Sequence, residues 1–392
     1  MIDRRLFLQS AGAVSVLAMG GVTLAKAPTD KRFVLIIQRG AQDGLHALPP
    51  YGDPAYYAVR PRVGLPKPGQ ENGVVKLDGL FGLHPELAPL RQLYASGELI
   101  ALPAVATRYR KRSHFDGQNL LENGSGEPFG TTSGFLNRAL LGLGDAKDRL
   151  GLTVGMSAPL ILQGKAQVQS WAPSVLPKAS DDFLARLAFA YSGDEVLSDT
   201  LAAAMMPAAE MDVSNKDAMR INKGKDLSLA AANVGAMLAM ADGPRVAVLE
   251  STGWDHHDGL LYRSRNLFKD LARTITTLKD SMGPAWEDTV VMTVSEFGRT
   301  VRENGSAGSD HGTAGTSFLA GGAVRGGRIV GDWPGLRSQD MYQGRDLFPA
   351  NSTEGLFKAV LIDHLGISEG YVEREVLPGT GSARKTEGLF RA

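Results

Sequence analysis

"VVMTVSEFGRTVRENGSAGSDHG", residues 290–312, runs from an apolar, β-branched stretch straight into Glu296 and Arg299, and closes on Asp310-His311-Gly312. An uninterrupted apolar run of this length reads as a strand covered on both faces, the habit of parallel sheets. Two readings compete for the residues after this strand. In the plain one, a solvated loop carries ordinary polar residues. In the other, the strand delivers Glu296 and Arg299 to a crevice, and "ENGSAGSDHG" (303–312) turns the chain back so that His311 reaches the same place. Glycines 305, 308 and 312 would supply the positive φ for that return.

The rest of the chain has the same rhythm. Residues 32–38, 99–105, 159–164, 245–252, 289–294 and 316–322 read as buried strands. Between them, residues 84–97, 259–282 and 353–365 space their apolar side chains as helices do, for example Leu267, Leu271, Ile275, Leu278 and Met282. Strand–helix alternation predicts an α/β fold, a doubly wound and mostly parallel sheet with helices on both faces. The stretch 170–242 breaks the rhythm and reads as a helical insertion. Its methionines (Met205, Met206, Met211, Met237, Met240) suit either core filling or a flexible lid.

Residues 1–27 read as a removable leader. Arg4-Arg5, Phe7-Leu8 and a modest apolar stretch up to Leu24 have the layout of an export signal, too short and too rich in Gly and Ala to span a membrane. Arg-Arg-x-Phe-Leu is similar to the twin-arginine signal, whose machinery carries folded proteins to the periplasm or beyond. Cleavage behind Thr23-Leu24-Ala25 is preferred, because a cut after Ala27 would leave Pro28 next to it. The remaining 28–392, about 365 residues, is enough for one large domain. Net charge is zero, which leaves no electrostatic footprint for nucleic acid or an anionic membrane. With no cysteine, disulfides, thiolate nucleophiles and Cys-based metal sites are excluded. Any metal must be held by Asp, Glu and the seven histidines.

In open α/β sheets, ligands bind beyond the carboxyl ends of the strands. The first predicted strand is followed by Arg39, Asp43 and His46, and the second by a basic cluster (Arg108, Arg110, Lys111, Arg112) and then Ser113-His114-Phe115-Asp116. "GWDHHDG" (253–259) follows the strand at 245–252. If it stays extended, Asp255 and His257 point to one side and His256 to the other. Asp plus His on one side is a two-ligand pair for zinc or manganese. Competing readings are a helix cap for Asp255 and Asp310, and an N-cap for Ser113. The basic cluster could attract an anionic substrate or form a solvated face. No G-x-S-x-G elbow, phosphate-binding loop or dinucleotide fingerprint occurs, which disfavours ordinary serine hydrolases and nucleotide cofactors.

Seven blocks in order carry a resemblance: the twin-arginine leader, "QDGLHALPPYGDPAYYAVRP", "GLHPELAPLRQLY", "SHFDGQNLLENG", "GWDHHD", "SEFGRT" and "SDHGTAG". Together the chain resembles the exported bacterial proteins of domain-of-unknown-function family 1501, placed with the alkaline phosphatase and sulfatase superfamily. The resemblance implies an alkaline phosphatase-like fold and a hydrolase of small anionic phosphate or sulfate esters. It also implies two metal ions beside a nucleophile. Asp255, His257 and His311 match one set of ligands, and Asp43 and Glu296 match part of the other, where Phe297 stands in place of a histidine. Ser113, with His114 beside it, matches the nucleophile position. Arg299 would either meet an oxyanion or merely pair with Glu296. The alternative is a non-catalytic periplasmic binding or assembly protein that keeps the fold.

Overall fold

The computed structural model describes residues 29–173, 179–205 and 215–391. The leader, Met206 and Met211 lie outside the described residues. A nine-stranded sheet dominates, built from β1 (Arg32–Arg39), β2 (Leu99–Ala106), β3 (Gly151–Val154), β4 (Val168–Trp171), β5 (Val246–Thr252), β6 (Thr289–Val294), β7 (Gly315–Ala320), β8 (Arg328–Ile329) and β9 (Asn351–Ser352). The spatial order is β8-β2-β7-β6-β1-β5-β3-β4, and β9 pairs with β2. β1 is central, parallel to β5 on one side and to β6 on the other. The apolar runs form strands here because both faces are covered. Phe33, Leu35 and Ile37 point into one core with helices α3 (Phe135–Leu143) and α6 (Thr353–Ala359). Val34 and Ile36 point into the other, with α1 (Leu90–Ala95), α4 (Ser228–Ala239) and α5 (Arg265–Met282). Each such side chain, fully buried, contributes roughly 1.5–3 kcal/mol.

β7 is the exception to the parallel sheet, running antiparallel to both β6 and β2. That single reversal positions the site. The carboxyl ends of β1, β2, β5 and β6 lie along one edge, and the amino end of β7 lies there too. The chain that leaves β6 at Val294 therefore returns to the same edge at Gly315.

One predicted strand is lost, and the predicted helical insertion begins on the end of a strand. Residues 159–164 are a 3₁₀ turn over Leu160–Leu162, closed by the Leu162 N–H on the Pro159 carbonyl at 3.0 Å. Its apolar side chains enter the core from a loop, and the sheet position is taken by the four-residue β3. The stretch 170–242 holds helices Asp181–Tyr191, Glu195–Met205, Asn215–Asn222 and α4, along with the last residues of β4. Residues 179–205 belong to a second compact unit. Its first helix is capped by Ser180, whose hydroxyl accepts the Phe183 N–H at 3.2 Å, and leaves Phe183 and Phe189 exposed.

Candidate metal centre at the strand ends

Gly40 and Ala41 leave β1 with φ of 118° and 57°. Gly40 is required at this point: a Cβ there would lie 2.5 Å from the Asp255 backbone nitrogen. This close approach brings the β1 and β5 ends together. After β5, Asp255 and His257 are exposed while His256 between them is buried, the alternation of an extended segment. After β2, Arg112 takes φ 60° and α2 (His114–Asn123) begins. After β6, residues 298–300 pair with 310–313 as a narrow hairpin, with Arg299 bridged to His311 and the Gly312 N–H on the Gly298 carbonyl at 2.8 Å. None of glycines 305, 308 and 312 has positive φ; that conformation falls on Ala307 at 53°. Gly312 instead serves close packing, since its Cβ would lie 2.2 Å from the Arg299 carbonyl carbon.

These four strand ends bring His114, Asp255, His257 and His311 together. His114, Asp255 and His311 offer ligand atoms that all lie within 4.8 Å of one another. The His311 Nε2 is 2.9 Å from His114 Nε2, 3.0 Å from His257 Nε2 and 3.2 Å from Asp255 Oδ1. His257 Nε2 is 3.0 Å from Asp255 Oδ1. Around a tetrahedral zinc with bonds of 2.0–2.1 Å, neighbouring nitrogens stand about 3.3 Å apart.

The outer nitrogens fix which tautomer the neutral rings adopt. His114 Nδ1 meets Glu296 Oε1 at 2.7 Å, His257 Nδ1 meets Asp310 Oδ1 at 3.1 Å, and His311 Nδ1 meets the Arg112 carbonyl at 3.2 Å. All three partners are acceptors, so the network assigns an N–H to each Nδ1, and in the neutral imidazoles each Nε2 then carries a lone pair. Three lone pairs then point at one another and at a carboxylate. That arrangement is repulsive without a cation between them, and outer-shell partners of this kind are the habit of metal-bound histidines. The residues fit a divalent ion with a taste for imidazole, such as zinc.

Glu296 stands behind the centre. It is fully buried, and its Oε1 accepts His114 Nδ1–H, the Gln118 amide at 3.0 Å and the Gly40 N–H at 2.9 Å. Burial raises its pKa, but these hydrogen bonds outweigh burial and hold the carboxyl below its usual range. The hydrogen bond to Glu296 raises the His114 pKa, while burial, then the His114 charge, lowers that of His311.

The structure sorts the remaining sequence candidates differently. Asp43 is not part of the cluster. It is buried, with both oxygens on Arg60 Nη1 at 2.8 and 2.9 Å, the Ser309 hydroxyl on Oδ2 at 2.6 Å and the His46 N–H on Oδ1 at 3.0 Å. Nor does Arg299 lie in a solvated crevice. It is 2% exposed, donates to the carbonyls of Ala41, Ser309, Gly40 and Trp254, and meets Asp255 rather than Glu296. Ser113 is the N-cap residue of α2, partly exposed, without a side-chain cap hydrogen bond. Phe297 is buried against Ala41, Tyr109 and Leu120, and its ring lies 4.9 Å from that of His114. His114, read from sequence as a partner of Ser113, is instead one of the three converging groups. Gln118 and Asp310 complete the outer shell, a role that sequence reasoning misses for both. Of the two, Gln118 carries the clearer signal, four residues after His114 on a helix.

The chain thus combines a mixed, mostly parallel sheet with an Asp–His centre at its strand ends. It belongs to the family described as Protein of unknown function (DUF1501), whose sequence profile matches residues 104–372. No curated protein matches it. Among solved structures it is similar to a putative sulfatase from Bacteroides thetaiotaomicron (10% identity, 92% of this chain and 76% of that one, TM-score 0.41). It is similar too to a protein of the alkaline phosphatase superfamily from Vibrio parahaemolyticus (12%, 94% and 76%, 0.38). A third is the C-terminal periplasmic domain of EcEptC from Escherichia coli in complex with Zn (10%, 93% and 93%, 0.41).

Proposed function

We propose that the chain is an exported, metal-dependent hydrolase of phosphate or sulfate esters. The observation that carries this reading is the convergence of three imidazole Nε2 atoms on Asp255, with every Nδ1 engaged from outside. His114, Asp255 and His311 would hold the ion, flanked by His257. Zinc or manganese bound there supplies Lewis acidity toward an ester oxygen. The chain's own residues do the positioning: Glu296, itself held by the Gln118 amide, holds His114, Asp310 holds His257, and Arg299 holds Asp255. Ser113 is the candidate nucleophile. It stands at the start of α2, where first-turn N–H groups lack intrahelical partners and can face an oxyanion. Export rests on the twin-arginine leader. Among the described residues no helix is long and apolar enough to cross a membrane.

One observation favours a second reading, a periplasmic binding or assembly protein without turnover. The guanidinium groups in and beside the site are engaged by protein acceptors: Arg299 by carbonyls and Asp255, Arg112 by Asp346 and Gln343, and Arg108 by Gly379 and Ser382. An anionic ester would need such donors free. The test is elemental analysis after chelator-free purification, joined to hydrolysis of aryl phosphate mono- and diesters and an aryl sulfate. We expect bound metal that His311→Ala loses, and turnover that falls by orders of magnitude in Ser113→Ala. Metal-loaded wild type inert on all three esters selects the second reading.

A further inference from the structure

The family resemblance implies two metal ions, and the residues that would hold the second do not fit one. Asp43 has both oxygens on Arg60 and is 4% exposed. Glu296 is fully buried, and its Oε1 already receives three hydrogen-bond donors. Position 297 offers a phenyl ring, packed in its own apolar cluster. A second ion would have to displace Arg60 from Asp43, reach a carboxylate shut off from solvent at Glu296, and do without a ligand at position 297.

A different cation stands beside the same carboxylate. Arg299 Nη2 is 2.5 Å from Asp255 Oδ1, and Nη1 is 3.5 Å from His257 Nε2. The guanidinium is fixed from behind by the carbonyls of Ala41 at 2.8 Å, Ser309 at 3.1 Å, Gly40 at 3.2 Å and Trp254 at 3.3 Å. Three of those carbonyls come from the ends of β1 and β5, so the group is placed by the sheet itself. Arginine stays charged at any working pH and cannot exchange into solvent as an ion does.

We infer that the centre holds a single metal ion and that the Arg299 guanidinium is its built-in second cation, sharing Asp255 with the ion. This rests on the proposed metal-dependent reading. A second divalent ion on Asp255 would stand within a few ångströms of a fixed positive charge, where like-charge repulsion is strong. Asp255 therefore divides its charge between one ion and one guanidinium, and the arginine lowers the centre's affinity for metal.

The test is the zinc stoichiometry of the full chain, by elemental analysis and calorimetric titration, in wild type, Arg299→Lys and Arg299→Met. Wild type should bind one equivalent with no second tight event. Arg299→Met keeps bulk and removes charge, so its zinc dissociation constant should fall by about tenfold or more, while Arg299→Lys should stay within about threefold of wild type. Two tightly held zinc ions in wild type overturn the inference, as does unchanged affinity in a folded Arg299→Met. If circular dichroism shows the methionine variant unfolded, the wild-type stoichiometry decides alone. No metal in wild type refutes the metal reading itself, and the two failures are thereby distinguished.

Discussion

Two groupings of aspartate and histidine sit near the same edge of the sheet. One holds His114, Asp255, His257 and His311, each partly or largely exposed; the other holds Asp43, His46, His84 and His256, all buried. By residue type they are alike. Their hydrogen bonds separate them. In the first, each ring turns its Nδ1 to an outer acceptor and leaves Nε2 for the crevice. In the second, Asp43 is closed by Arg60, and His84 stacks on Phe268 at 4.4 Å with its Nδ1 accepting the Glu86 N–H. His46 has no hydrogen-bond partner for either ring nitrogen among the described residues. The same residue types stay available or become structure according to burial and to which atoms remain free.

Breaking the Asp43–Arg60 pair should have the largest effect of any single substitution. Asp43→Ala leaves a guanidinium buried without its anion, a situation that costs about 3–5 kcal/mol. Urea unfolding should show that loss in metal-free and metal-loaded protein alike. If Asp43 were a metal ligand, its removal would instead lower metal content while the metal-free protein kept its stability.

Acid should sharpen the contrast next. Burial depresses His46 to about 3 and His84 to about 2, from an unfolded value of 6.5. The unfolded chain thus binds protons that the folded one refuses. Stability is complete above pH 6.5 and falls as pH drops toward the folded values. At pH 5 each imidazole should cost roughly 2 kcal/mol. His364, depressed to about 4 mainly by burial, acts in the same direction. Urea midpoints at pH 7.5 and 5.0 measure the drop, which should be smaller in His84→Phe. In the accessible grouping the shifts run in opposite directions, raised at His114 by the hydrogen bond to Glu296 and lowered at His311 by burial.

The legible and illegible parts of the site divide along the same line. The β6 run, the alternation of Asp255, His256 and His257, and the return of His311 are readable because local periodicity and strand direction fix them. The fate of Asp43 is not, because it depends on Arg60, which reaches Asp43 from a loop seventeen residues on. Arg299 misleads for a related reason: its polar side chain is buried by four backbone carbonyls, and a sequence does not show where carbonyls converge. The strand expected at 159–164 fails because an apolar run signals burial alone, and Pro159 starts a turn. β3, with four residues, is too short to announce itself.

The smallest stability effect belongs to Ser113, and its smallness is informative. A serine that caps a helix contributes about 1 kcal/mol through its hydroxyl. Here Ser113 occupies the N-cap position of α2 but accepts no cap hydrogen bond, and its own N–H is held by the Tyr109 hydroxyl at 3.2 Å. Ser113→Ala should therefore stay within about 0.5 kcal/mol of wild type, as surface substitutions do when no special contact is lost. A larger loss in urea titration would reveal a capping role in solution and return Ser113 to the structural class of Asp43. With stability unchanged, any fall in ester turnover reports chemistry alone. Ser113 then joins the accessible grouping, whose members keep atoms free for something other than the fold.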